Sequence, residues 1–198
     1  MSLKTGKAPE KALQAVAEAV QNLKSSPDTE VMMAMGGSAK AAEKAEVAPP
    51  LQVYVLDLKD VGKKSLKNAQ AVGWRYIVMH EDQPVAAAEV DAGGGSKVQF
   101  SHFNTGPFVE ETARAIIQAE GLDEVAKKDY EARILRIPAL YVMALWLHSD
   151  KDDIIIPMPP TNDSLDAKKA YSAKEFFASL APAAKERQAF DDTPENSK

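Results

Sequence analysis

The 198-residue chain has no cysteine. That excludes a disulfide framework, a thiolate nucleophile, and zinc or iron–sulfur sites built on thiolates. It also lacks a long apolar run. Its most apolar stretch, Ile137 to Leu147, spans eleven residues without charge, whereas a membrane-spanning helix needs about 20. Arg133 and Arg136 precede this stretch, and Asp150, Lys151, Asp152 and Asp153 follow it. There is no excess of basic charge: the formal net charge is −5, which argues against a nucleic-acid binder that must meet phosphates with a basic face. No apolar h-region follows Lys4 and Lys7, so no secretory leader is read and the expected location is the cytoplasm.

The specific chemistry-bearing motifs are missing too. Gly93-Gly94-Gly95-Ser96 is glycine-rich but lacks the Gly-Lys-Ser/Thr of a phosphate loop and precedes a predicted strand, so it reads as a flexible connection. His80, His102 and His148 lack the short spacing of zinc motifs. Asp150, Asp152 and Asp153 lack the glycine and distant glutamate of a calcium loop and read as a solvated turn. Asp57, Asp60, Glu89 and Asp91 read as acidic strand ends that keep a sheet soluble. No cofactor is expected.

What is present is an α+β pattern around the segment 131–160. Ile134, Ile137, Tyr141, Val142 and Trp146 favour strands at about 132–137 and 139–148, interrupted at Pro138. Ile154-Ile155-Ile156 supplies a partner strand, and Pro157, Pro159 and Pro160 end it. These strands are apolar on both pleat faces, which predicts cover on both sides. Upstream, 51–58, 74–79, 84–91 and 97–103 read as four strands of an antiparallel meander. Asn104-Thr-Gly-Pro107 opens a helix that Gly121 stops, with Asn104 or Thr105 as the cap. Ser172-Ala-Lys-Glu175 has capping-box spacing ahead of Phe176, Phe177 and Leu180, and Pro182 predicts a kink. The chain shows no internal repeat.

Ahead of this region, Leu13, Val16, Val20 and Leu23 recur at helical spacing. The following stretch is rich in Ala, Lys and Glu and reads as a linker, with a transient helix over 39–46 and with Met32, Met33 and Met35 as adaptable contact residues. The expected organisation is a helix and linker over 1–48, which should be dispensable for folding, then a single α+β domain over 49–190 and a polar tail over 191–198. The expected fold is a mainly antiparallel sheet of about six strands with packed helices.

For function, the sequence points to a non-catalytic binding or protein-interaction module. Its partner would be a protein or a small ligand, with neither nucleic acid nor membrane involved. His102, Thr105 and Trp146 are the candidate binding residues, and no catalytic or metal-ligating residue is assigned. Trp146 itself is expected in the core. The alternative is a hydrolase-like enzyme whose scattered site surrounds His102, with Ser101 and Thr105 beside it.

Overall fold

The computed structural model describes residues 3–23, 29–35, 43–92 and 97–191. Expectations for 36–42, 93–96 and 192–198 therefore lie outside the described residues. The strands are β1 (Lys4–Thr5), β2 (Glu46–Val47), β3 (Leu51–Val55), β4 (Gln70–His80), β5 (Gln83–Asp91), β6 (Gln99–Asn104), β7 (Glu131–Ile137), β8 (Val142–His148), β9 (Asp153–Pro157) and β10 (Tyr171–Ser172). The helices are α1 (Glu10–Asn22), α2 (Thr29–Ala34), α3 (Leu58–Val61), α4 (Pro107–Glu120), α5 (Asp123–Lys127) and α6 (Ala173–Asp191). Among the described residues, no helix is long and apolar enough to cross a membrane.

All ten strands belong to one sheet, in the order β10-β9-β8-β7-β3-β4-β5-β6, with β1 beside β7 and β2 beside β4. The α+β class is as expected, but the sheet is larger and mixed. β3 and β7 run parallel at its centre, as do β1 and β7, and the remaining pairs are antiparallel. Two causes account for the difference. β1, β2 and β10 have two residues each, too short to leave a period-two pattern. β3 and β7 are joined only through β4, β5, β6 and the helices that follow, and residue type does not encode pairing partners across such a distance.

Leaving aside the short helices α3 and α5, the element order β-β-β-β-α occurs twice. The first pass runs from β3 to α4 and the second from β7 to α6, with the two leading strands paired in parallel at the centre. The two helices cover opposite faces. α4 and α5 lie over Leu51, Val53, Ala132, Ile134, Leu145, Leu147 and Ile156. α6 lies over Leu135, Ile137, Val142, Ala144, Trp146 and Ile155. Side chains alternate across a strand, so β7 and β8 are covered on both faces, which explains their lack of apolar/polar alternation.

The stretch read as an appendage contributes to this body. Ala12, Val16, Val20 and Leu23 of the first helical segment and Val31, Met32 and Met35 of the second are buried against Trp74, Tyr76, Val78, Ala86, Ala88 and Val90. They occupy the face of β4 and β5 opposite α4. Met32 and Met35 thus dock on the sheet, while Met33 is exposed.

Local signals explain the helix boundaries. The capping box forms as read: Glu175 N–H donates to Ser172 Oγ at 3.3 Å, and Glu175 Oε2 accepts from Ser172 N–H at 3.0 Å. α4 starts differently. Its cap position is Gly106, with no side-chain cap bond, and Pro107 is the first helical residue. A residue before proline is steered away from the helical region, and Gly106 takes φ 120°, a conformation natural only to glycine. Pro182 lies inside α6, which continues to Asp191. Burial of Phe176, Phe177 and Leu180 before it and of Ala184 after it holds the helix together across the missing N–H.

Candidate binding cleft

A cleft of about 540 Å³ opens where β3, β7, β8 and β9 present one face beside the start of α6. Its lining includes Tyr54, Arg133, Trp146, His148 and Asp153 from the strands, with Lys64, Ser65 and Lys67 from the turn after α3 and Lys151 from the β8–β9 turn. Register explains the convergence. Arg133 lies opposite Trp146, Trp146 opposite Ile155, and His148 opposite Asp153.

Arg133 is the centre of this arrangement. Its guanidinium lies over the Tyr54 ring at 5.0 Å and the Trp146 ring at 4.9 Å, a cation–π geometry. The two rings meet edge to face at 5.1 Å. Arg133 Nε donates to Glu131 at 2.6 Å. Its side chain is 15% exposed, and its two Nη groups have no protein acceptor among the described residues. The guanidinium is therefore fixed by stacking and by Glu131, while the planar fork that matches a carboxylate or phosphate is left open.

Asp153 organises the other wall. One oxygen, Oδ1, accepts from Trp146 Nε1 at 2.7 Å and from His148 Nδ1 at 2.8 Å. The carboxylate thus fixes the proton on His148 Nδ1 and leaves Nε2 as an acceptor. Neighbouring Asp152 accepts from Tyr130 Oη at 2.9 Å, from Ser149 Oγ at 2.7 Å and from Lys128 Nζ. Burial pushes the Asp152 carboxyl up, but the hydrogen bonds from Lys128, Ser149 and Tyr130 outweigh it and hold the group below its ordinary value. The Asp150–Asp153 stretch is thus a clamp on the turn as well as a solvated loop. Burial, opposed by the Arg133 charge, raises the Tyr54 hydroxyl above its ordinary value, and Tyr54 donates to Gln52 at 3.0 Å.

The sequence candidates are placed apart. Trp146 is 3% exposed; it forms the cleft floor as a support for Arg133 and is core on its other side. Trp74 is buried too, in the cluster it shares with residues of α1 and α2. His102 is exposed on β6. Thr105 follows β6 and donates to Glu30 of α2 at 3.0 Å, tying that helix to the sheet. The three histidines lie on β4, β6 and β8, and no group of His, Asp and Glu among the described residues could hold a metal ion.

His102 belongs to a second polar network. Its Nδ1 lies 3.1 Å from Ser101 Oγ, and its Nε2 lies 3.1 Å from Asn104 Nδ2. Asn104 Nδ2 also donates to Glu89 Oε1 at 3.3 Å. That same oxygen accepts from Arg75 Nη1 and, at 2.7 Å, from Arg136 Nη2. Arg75 and Glu89 are buried rather than solubilising a strand end. Burial pulls the Arg75 guanidinium below its ordinary value; Glu89 opposes this and Arg136 adds to it.

Arg133, Arg75 and Arg136 sit in no recognisable motif. The available signal was a charged residue inside an otherwise apolar strand, which must find a partner or a ligand. Comparison with known proteins finds no match to this chain: no family model, no curated protein and no solved structure is similar to it.

Proposed function

We propose that this chain is a non-catalytic binding module and that the cleft over β7, β8 and β9 is its recognition site. The observation that carries this reading is the division of labour among the lining groups. Tyr54, Trp146, Glu131 and Asp153 spend their polar and π interactions on fixing neighbours. The Arg133 Nη groups and His148 Nε2 remain without protein partners among the described residues. A few convergent polar groups held rigidly in a cleft of this size are the pattern of a small-ligand pocket, or of a pocket for one side chain of a protein partner.

The hydrolase-like alternative around His102 draws on the Ser101–His102–Asn104–Glu89 chain, which resembles a nucleophile, base and orienting group. The direction of its hydrogen bonds works against it. The Asn104 amide nitrogen donates to Glu89, and the same NH2 group faces His102 Nε2, so Nε2 accepts and Nδ1 carries the proton. His102 then donates to Ser101 and is the wrong tautomer to take its proton.

The test is a small-molecule screen of neutral, cationic and anionic compounds against the 15N-labelled full chain. Amide shifts are expected to cluster at residues 64–69, 133 and 148–153. Shifts that gather instead at 99–105, or hydrolysis of model esters that Ser101→Ala abolishes, would sink the reading.

A further inference from the structure

We infer that the cleft takes a small oxyanion, a carboxylate or phosphate group, on the open fork of Arg133; this rests on the proposal that the cleft is the recognition site. The first argument is geometric. A guanidinium presents its donors as a rigid planar fork that matches two oxygens of a carboxylate or phosphate. Here Nε is used by Glu131, the ring stack fixes the plane, and both Nη groups are left for a ligand. Ordering a free arginine side chain costs rotamer entropy on binding, and the Tyr54–Trp146 stack has already removed that cost.

The second argument is local charge. The whole chain is acidic at −5, yet the cleft lining carries Lys64, Lys67, Arg133 and Lys151 against Asp150, Asp152 and Asp153. Two ion pairs offset part of this charge, Asp152 with Lys128 and Arg133 with Glu131, while Asp153 is hydrogen-bonded by Trp146 and His148. Lys64, Lys67 and Lys151 have no carboxylate partner among the described residues. A cleft with low-dielectric walls concentrates such a field on an entering anion. The third argument is His148, whose Nε2 lone pair can accept from a hydroxyl on the ligand or from a protonated phosphate oxygen, while its Nδ1–H stays on Asp153.

The test follows the side-chain Nε–H signal of Arg133 and the indole N–H of Trp146 in the 15N-labelled full chain. Inorganic phosphate and citrate are titrated separately at constant ionic strength in chloride. Saturable shifts of both signals are expected with at least one anion. Phosphate alone identifies a phosphate site, and citrate alone a carboxylate site. Arg133→Lys keeps the charge but loses the fork and should weaken binding by about tenfold or more, the scale of a charge-assisted hydrogen bond. Lys64→Ser with Lys67→Ser leaves the ring stack untouched and should weaken binding severalfold, so the proposal stays testable even where Arg133 variants fail to fold. Absence of saturation with both anions, or binding that neither the double lysine variant nor Arg133→Lys weakens, overturns the inference. Neutral or cationic compounds that bind this cleft while both anions fail would overturn the oxyanion and leave the recognition cleft standing. Failure of every compound at this face removes both.

Discussion

Glu89 shows how far a residue's role can lie from its appearance in the sequence. In Ala86-Ala87-Ala88-Glu89-Val90 it looks like an acid on a strand's wet face. Its carboxylate instead lies beneath the start of α4, where Arg75 Nη2 also reaches the Phe108 carbonyl at 3.2 Å, and it forms ion pairs with two guanidinium groups. Removing one partner of a buried ion cluster leaves uncompensated charge in a low dielectric. Glu89→Gln keeps the shape and loses the charge, so it should cost about 3–5 kcal/mol in urea unfolding. Glu110→Gln is the control: its pair with Arg114 is exposed on both sides and should cost less than about 1 kcal/mol. Similar losses for the two variants would show that the buried cluster is solvated in solution. The same contrast explains what was legible. The burial of Trp146 follows from its uncharged surroundings. Trp74, on a more polar strand, is also buried, in a cluster shared with α1 and α2 residues and with Gly6 against its ring, and a strand's own sequence carries no record of such distant partners.

Elements were legible where their own residues determine them. The start of β3, the edges of β5 and β6, the stop of α4 at Gly121 and the capping box of α6 fall close to the expectation, whereas β3 ends at Val55 and β4 starts at Gln70; period-two patterning, glycine and Ser-x-x-Glu spacing act locally. The parallel centre and the twofold element order were not legible: β4 has eleven residues and β8 seven, and the two passes share no spacing. The candidate cleft failed for the same reason, since its walls come from β3, β7, β9 and the turn after α3. The turn between β8 and β9 also makes a prediction at this scale. Asp152 is held below its ordinary value of 3.8, so the folded state binds a proton there less readily than the unfolded chain does. Its contribution is full above the unfolded value and is lost as pH falls through the lower folded value. The melting-temperature gap between wild type and Asp152→Asn should therefore be widest near neutral pH and close as pH drops below about 4. A gap that does not change with pH would mean that the clamp from Lys128, Tyr130 and Ser149 does not form in solution.

At the scale of the molecule, the question is whether residues 1–48 are an attachment or part of the fold. The sequence argued for attachment, because a narrow apolar stripe followed by a stretch of small and charged residues looks poor in core. The structure gives that stripe a wide partner. Trp74, Tyr76, Val78, Ala86, Ala88 and Val90 form an apolar face on β4 and β5, and the buried residues from Ala12 to Met35 are what cover it. β1 and β2 add edge pairings to β7 and β4. Burying one aliphatic side chain contributes about 1.5–3 kcal/mol. Loss of several such contacts, on both the helices and the sheet, exceeds a few kcal/mol even after a generous allowance for residual burial in the unfolded chain. In a domain of this size each kcal/mol moves the melting temperature by about 2–4 °C. A chain starting at Pro49 should thus melt more than about 10 °C below the full chain, bind a hydrophobic dye at the uncovered face of β4 and β5, and show a red-shifted Trp74 emission. Trp146 Nε1 donates to Asp153 of β9, which the truncation leaves in place, so the Trp146 indole signal of any folded fraction should keep its position. Unchanged melting with Trp74 still blue-shifted would establish instead that β4 and β5 close over their own face without α1 and α2, and that the first 48 residues serve something other than the stability of the sheet.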